Sequence, residues 1–155
     1  MEKLHDLNDI AGNLSPDGFP RYSEAMLFTP SKKWAMIRVD MVVSPVRTPV
    51  GEGENSYSAI RRQISTDCGI SVGRGAVIFT GFFSEPEGER SIIDIWVFRL
   101  KEEDEELISS NPWIRLMSSD EIKDSFEEGS FSDMGETEKL RSVFTIYETP
   151  VCVDF

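Results

Sequence analysis

The sequence predicts an α+β domain, mostly β, in which two helices flank a sheet. Three observations carry this reading. Apolar runs of strand length recur between turn-rich gaps, an amphipathic helix closed by a glycine stands mid-chain, and a short capped helix follows the strand "NPWIRLM". A chain of 155 residues suits one domain, and folding at that size buries about two-thirds of the surface the unfolded chain exposes. Residues 1–20, with Gly12, Pro16, Gly18 and Pro20, read as an irregular lead-in, and residues 21–155 as a single domain.

From Tyr22, "YSEAMLF" and "WAMIRVDMVV" are apolar runs separated by the turn-rich "TPSKK", which predicts a β-hairpin with strands at about 22–28 and 34–43. "SPVRTPV" carries two prolines, each holding its predecessor extended, so an extended segment or edge strand follows. Asn55 or Ser56 can cap a helix whose Tyr57, Ile60 and Ile64 form one apolar stripe, placing it at about 56–67. Gly69 is its stop, because glycine accepts the left-handed conformation that ends helices. "VGRGAVIFTGFF" and "SIIDIWVFRL" read as two strands joined by "SEPEGER". "NPWIRLM" reads as a short strand and "SSDEIKDSF" as a short helix, opened by a capping box of Ser118 and Glu121. An acidic insertion at about 127–140 precedes a last strand, Val143 to Tyr147.

Composition narrows the function classes. Ten Phe and three Trp argue against disorder, and Trp34, Trp96 and Trp113 fall within expected strands, where core packing outweighs base stacking. No window approaches the roughly 20 apolar residues of a membrane span. The N-terminus MEKLHDLNDI lacks a basic start followed by an apolar core, so a cytoplasmic protein is expected. Cys68 and Cys152 can form at most one disulfide, lack metal-ligand spacing with the single His5, and read as small buried or half-buried apolar residues. Scarce histidine also disfavours Ser-His-Asp and Cys-His mechanisms. The formal charge of −12 repels long nucleic acid. A small phosphorylated ligand accompanied by a divalent cation is compatible with it, because the metal offsets the charge locally. Much of the acid lies in "KEEDEE", Lys101 to Glu106, and in "EEGSFSDMGETE", Glu127 to Glu138; both read first as solvated loops and second as a docking surface for a protein partner.

The stretch Gly51 to Ile70, "GEGENSYSAIRRQISTDCGI", resembles the signature of the Nudix family. That signature runs Gly, five residues, Glu, seven residues, then Arg-Glu-hydrophobic-x-Glu-Glu-x-Gly-hydrophobic. Glu54, Arg62, Ile64, Gly69 and Ile70 fit it, and Gly53 with Glu54 forms the usual Gly-Glu pair. The departures concentrate in the chemistry: Thr48 stands for the first glycine, Gln63 for the Glu after the arginine, and Thr66-Asp67 for the Glu-Glu pair. The hairpin before this box, two strands after it and "WIRLMSSDEI" extend the resemblance from about Arg21 to Phe126. It implies an α-β-α sandwich with a mixed β-sheet, a nucleoside diphosphate derivative as ligand, and magnesium or manganese as cofactor. Arg62 would brace the box by pairing with Glu54, with Gly53 and Gly69 shaping its turns.

Positions 63, 66 and 67 are spaced i, i+3 and i+4 and share one helix face, read as opposite the stripe of Ile60 and Ile64. Family members present carboxylates there to the metal. Magnesium takes oxygen ligands, commonly one or two carboxylates with waters and phosphates, and on this face Asp67 alone is acidic while Gln63 and Thr66 are neutral. Metal affinity should fall sharply, and hydrolysis should be weak or absent. Further acids would have to come from Glu52 and Glu54 or from Glu85, Glu87 and Glu89, with Arg47 and Arg61 as the cations for a phosphate. The leading expectation is a binding or regulatory module for a nucleotide-like ligand or a protein partner. An active hydrolase using Asp67, Glu54 and a borrowed glutamate is the second reading, and a purely structural interaction domain the third. Substrate, partner and oligomeric state are not encoded in any motif.

Overall fold

The computed structural model describes residues 19–40, 42–84 and 90–128. The lead-in before Phe19, the three connection glutamates Glu85, Glu87 and Glu89, Cys152, the expected last strand and the acidic insertion past residue 128 lie outside the described residues.

The hairpin forms where the pattern places it. Strand β1 (Arg21–Phe28) pairs antiparallel with β2 (Trp34–Val39) at Leu27↔Ala35 and Phe28↔Trp34. Thr29 closes the turn, accepting the Lys33 N–H at its side chain and donating its own N–H to the Lys33 carbonyl. The second expected strand does not run unbroken to residue 43. Asp40 adopts φ 56°, a left-handed conformation that Asp tolerates through local hydrogen bonding, and the chain reverses there into β3 (Val42–Ser44), which pairs back on β2. Strand β4 (Val46–Pro49), the proline-bounded extended segment, then pairs antiparallel with the first half of β1.

Helix α1 (Ser56–Cys68) follows, capped by Asn55, whose side chain accepts the Ser58 N–H, and ended by Gly69 at φ 71°. It carries the chain across to β5 (Gly75–Ser84) and β6 (Arg90–Arg99), an antiparallel pair irregular at Val77 and Phe79. Strand β6 runs parallel to β1 through eight consecutive pairs, Arg21↔Ile92 to Phe28↔Arg99. Parallel neighbours need a long crossover, and α1 supplies it.

"KEEDEE" is not a loop. Its residues open α2 (Glu102–Ser109), whose first turn is acidic throughout. Negative side chains are stabilising beside the positive end of a helix, and the Asp104 carboxylate accepts the Lys101 N–H. The helix is short and only Ile108 buries deeply, so no apolar stripe announces it. Strand β7 (Ile114–Met117) pairs with the free side of β2, and α3 (Ser119–Glu128) opens with the expected capping box, Ser118 and Glu121 each accepting the other's N–H. Trp113 lies just before β7, not within a strand, and is 60% exposed.

The sheet is mixed, in the order β3-β2-β1-β6-β5, with β4 beside β1 and β7 beside β2. Alternation along the strands builds a core on each face. Ala25, Leu27, Trp96 and Phe98 meet Ile60 and Ile64 of α1 and Ile108 of α2. Met26, Phe28, Ile93, Ile95 and Val97 lie on the other face with Ile122 of α3. Helices therefore cover both faces, three among the described residues where the sequence suggested two. Gly75 faces Phe98 across the β5–β6 pair, and a Cβ there would come within 2.5 Å of the ring, so glycine lets the ring lie against the backbone. No described helix is long and apolar enough to cross a membrane.

Polar groups inside the sheet are paired across distant segments. Arg21 and Asp94, both buried, meet at 3.0 Å, and Thr80 donates to the same carboxylate at 2.8 Å. Behind α1, Trp96 Nε1 donates to Ser56 Oγ at 3.1 Å, Ser56 Oγ donates to Ser23 Oγ at 2.9 Å, and Ser23 Oγ donates to the Ser56 carbonyl at 3.1 Å. Ser56→Ala would leave the Trp96 indole N–H without its acceptor in a dry interior, while Ser23 keeps only its bond to the residue 56 carbonyl. We expect it to lower unfolding free energy by about 1–3 kcal/mol, read as an earlier midpoint in urea with an unchanged slope.

Candidate functional site

The loop before α1 is shaped by its own backbone and by Glu54. The Glu54 N–H bonds to the Gly51 carbonyl at 3.1 Å, and the Gly51 N–H returns to Glu54 Oε1 at 3.1 Å. Gly53 takes φ 75°, which a side chain would strain. Two turns into the helix, Arg62 closes a fork on the same carboxylate, Nε to Oε2 at 2.9 Å and Nη2 to Oε1 at 3.1 Å. Nη2 also reaches Thr48 Oγ1 at 3.3 Å, so the hydroxyl where a first glycine was expected helps hold the brace to β4. The expected pairing of Arg62 with Glu54 is thus present. The Arg62 guanidinium holds the Glu54 carboxyl below its usual value, burial opposing and the Gly51 N–H assisting, while Glu54 raises Arg62 in return.

The face bearing positions 63, 66 and 67 differs from expectation. Gln63 and Asp67 are half-buried at the margin of the apolar stripe instead of opposite it, since residues 60, 63, 64 and 67 all fall within about a third of a turn in projection. Thr66 is exposed. Gln63 Nε2 donates to Asp67 Oδ1 at 2.8 Å, its own carbonyl accepts from Arg62 Nη1 at 3.4 Å, and Thr66 Oγ1 turns back to the Arg62 carbonyl at 3.1 Å. Each of the three side chains has a protein partner on its own helix.

This donor set does not fit a divalent cation. Magnesium would take one or two carboxylates with open lone pairs; Glu54 gives both oxygens to Arg62, and Asp67 gives one to Gln63. Among the described residues no three His, Cys, Asp or Glu side chains gather closely enough to hold a metal. Cys68 offers no thiolate near neutrality, because burial, with the Asp67 charge, pushes its thiol to about 12.

The two arginines assigned to a phosphate are both engaged. Arg61 Nε donates to the Val72 carbonyl at 2.9 Å and its guanidinium lies 5.3 Å from the Tyr57 ring centre, while the Tyr57 hydroxyl donates to the Gly73 carbonyl. Together they clamp the segment leaving α1. Arg47 lies 4.4 Å from the Tyr22 ring centre and 3.8 Å from the buried Glu24 carboxylate. Sequence reasoning missed Glu24, Asp94 and the Ser23–Ser56–Trp96 chain. A signal existed for the first two: a lone acid inside an apolar strand run, as in "YSEAMLF" and "SIIDIWVF", marks a buried pair.

Protonation gives a test of the brace. A carboxyl held low in the folded state contributes stability that is complete above its ordinary value of 4.5 and is lost as pH falls through the lower folded value. We expect Glu54→Gln to cost up to about 1 kcal/mol at pH 7. That difference from wild type should close as unfolding is followed into acid.

No protein-family model matches the sequence, and no curated protein matches it. Solved structures do. The C. elegans Ap4A hydrolase superposes with a TM-score of 0.57 at 15% identity, covering 82% of this chain and 98% of that one. A NUDIX hydrolase from Nitrosomonas europaea superposes with a TM-score of 0.62 at 11% identity, covering 88% and 96%. The chain has the Nudix fold.

Proposed function

We propose that this Nudix-fold chain is a binding module for a small nucleotide-type phosphorylated ligand, with hydrolysis weak or absent. The observation that carries the reading is the closure of the helix face on itself. The amide of Gln63 sits on the Asp67 carboxylate at 2.8 Å and Arg62 takes both oxygens of Glu54. A surface whose carboxylates are already hydrogen-bonded and charge-paired resists losing them to a cation, because each replaced bond must be recovered by the metal.

The ligand class is supported by the fold and by the neighbours, one of which is named as an Ap4A hydrolase. On this reading the loop and the 63–67 face keep the position of a ligand surface, Arg47 and Arg61 are the cations assigned to its phosphates, and Arg62, Gly53 and Gly69 maintain its shape. A neutral Gln and Thr on that face make it less repulsive to phosphate oxygens than a row of glutamates, so binding without a metal becomes feasible.

A thermal-shift screen of nucleotides, Ap4A and nucleotide sugars, each with magnesium and with chelator, tests this. A ligand present at 100 times its dissociation constant stabilises the fold by about 2.7 kcal/mol. The expected result is at least one ligand that raises Tm equally in both conditions. Cleavage of these compounds at ordinary enzymatic rates with magnesium or manganese would overturn the proposal. The triple variant Gln63→Glu, Thr66→Glu, Asp67→Glu is expected to convert metal-independent stabilisation into metal-dependent stabilisation.

A further inference from the structure

A cavity of about 360 Å³ opens between the end of α2 and the β2–β7 pair, within the size range of small-molecule sites. None of its lining residues belongs to the 48–70 loop and helix, so the two surfaces are separate. Its charged lining residues are Arg38 and Arg115, and no acid lines it, in a chain with 28 acids and 16 bases.

The two arginines become neighbours through strand register. Arg115 is the Cα partner of Met36 in the β2–β7 pair, and Arg38 lies two residues further along β2 on the same face of the sheet. They are diagonal cross-strand neighbours, within reach of each other's long side chains. Like charges so placed repel unless something negative lies between them. The acid paired with Arg115 is Glu121, through one 3.4 Å contact in which both side chains are a little under half exposed. Among the described residues no carboxylate pairs with Arg38.

The other wall repels an anion less than a bare helix end would. The C-terminal end of a helix carries partial negative charge on its open carbonyls, which would repel one. Here Ser109 donates to the Glu106 carbonyl at 2.9 Å and Ser110 to the Leu107 carbonyl at 3.0 Å, blunting that end. Asn111 spends its side-chain carbonyl on the Trp113 N–H at 2.9 Å, which leaves its NH₂ group as the donor for a ligand. The Arg38 N–H bonds to the Trp113 carbonyl at 2.7 Å and holds this segment against β2.

We propose that this cavity is a second ligand site, taking a small molecule with a phosphate or diphosphate group held between Arg38 and Arg115, with Asn111 as an additional donor. Two guanidinium groups match phosphate oxygens in geometry as well as charge. The site requires no metal and does not depend on the state of the 63–67 face.

Binding of inorganic pyrophosphate in chelator, followed by calorimetry on the full chain, tests the proposal with Arg38→Ala and, as a control for surface charge, Lys33→Ala. Arg38 is exposed and its backbone bond survives the change, so the variant should keep the wild-type Tm. The expected result is binding that Arg38→Ala weakens roughly tenfold or more and that Lys33→Ala leaves unchanged. Arg115→Ala should weaken it similarly. Absence of binding up to roughly 10 mM, unaltered binding by Arg38→Ala, or a loss in Lys33→Ala equal to or greater than that in Arg38→Ala would each overturn it.

Discussion

The hydroxyl of Ser56 is the point on which the geometry of this domain turns. It accepts the Trp96 indole N–H from β6 and donates to Ser23 on β1, while the Ser56 carbonyl receives the Ser23 hydroxyl. One residue at the start of α1 is thereby tied to the two strands that pair in parallel at the centre of the sheet. Apolar packing alone would let the helix slide by a fraction of a turn at modest cost, since Ile60 and Ile64 could find other hollows. Directional bonds in a dry interior remove that freedom, because any slide leaves three polar groups unpaired. The loop from Gly51 to Asn55 and the fork of Arg62 on Glu54 inherit their positions from this anchor.

With its frame held, the face of α1 can vary in chemistry without losing shape. The brace uses Glu54, Arg62 and Thr48, Arg62 reaching over to the Gln63 carbonyl, while Gln63 and Asp67 bond to each other across one turn. A scaffold and a chemistry that draw on largely different side chains can vary separately. Gln63 and Thr66 leave that surface less negative than a row of carboxylates would, beside a loop whose shape Glu54 and Arg62 hold. A shaped surface without a row of acids is what the proposed binding role would require.

Much of this was legible beforehand, and the reasons differ by residue. The hairpin, β4, α1 and α3 were readable because turn residues, prolines and caps act locally, within three or four positions. The Arg62–Glu54 pair came from the resemblance and not from spacing, since eight residues separate the two and only the loop's path brings them together. Helix α2 was hidden because its stability rests on acid at an N-terminus and a single buried Ile108, neither of which makes a periodic pattern. Asp40 broke a strand that hydropathy continued, a matter of one dihedral. The cavity between Arg38 and Arg115 depends on pairing between strands about 80 residues apart, so no window of sequence contains it.

The parallel pairing of β1 with β6 carries a consequence for how the chain is made. Strand β1 leaves the ribosome before the other described strands, and its parallel partner follows about 70 residues later. At roughly 5–20 residues per second that interval is about 4–14 seconds. During it, β1, buried at every position but Tyr22 in the finished domain, can be paired along one side by β2 and β4 and along the other by nothing of its own. The buried arginine at its first position, Arg21, waits for Asp94 over the same interval. A charge held at an unfinished edge blunts its tendency to recruit another chain, so the ion pair that completes the sheet also guards it while it is incomplete.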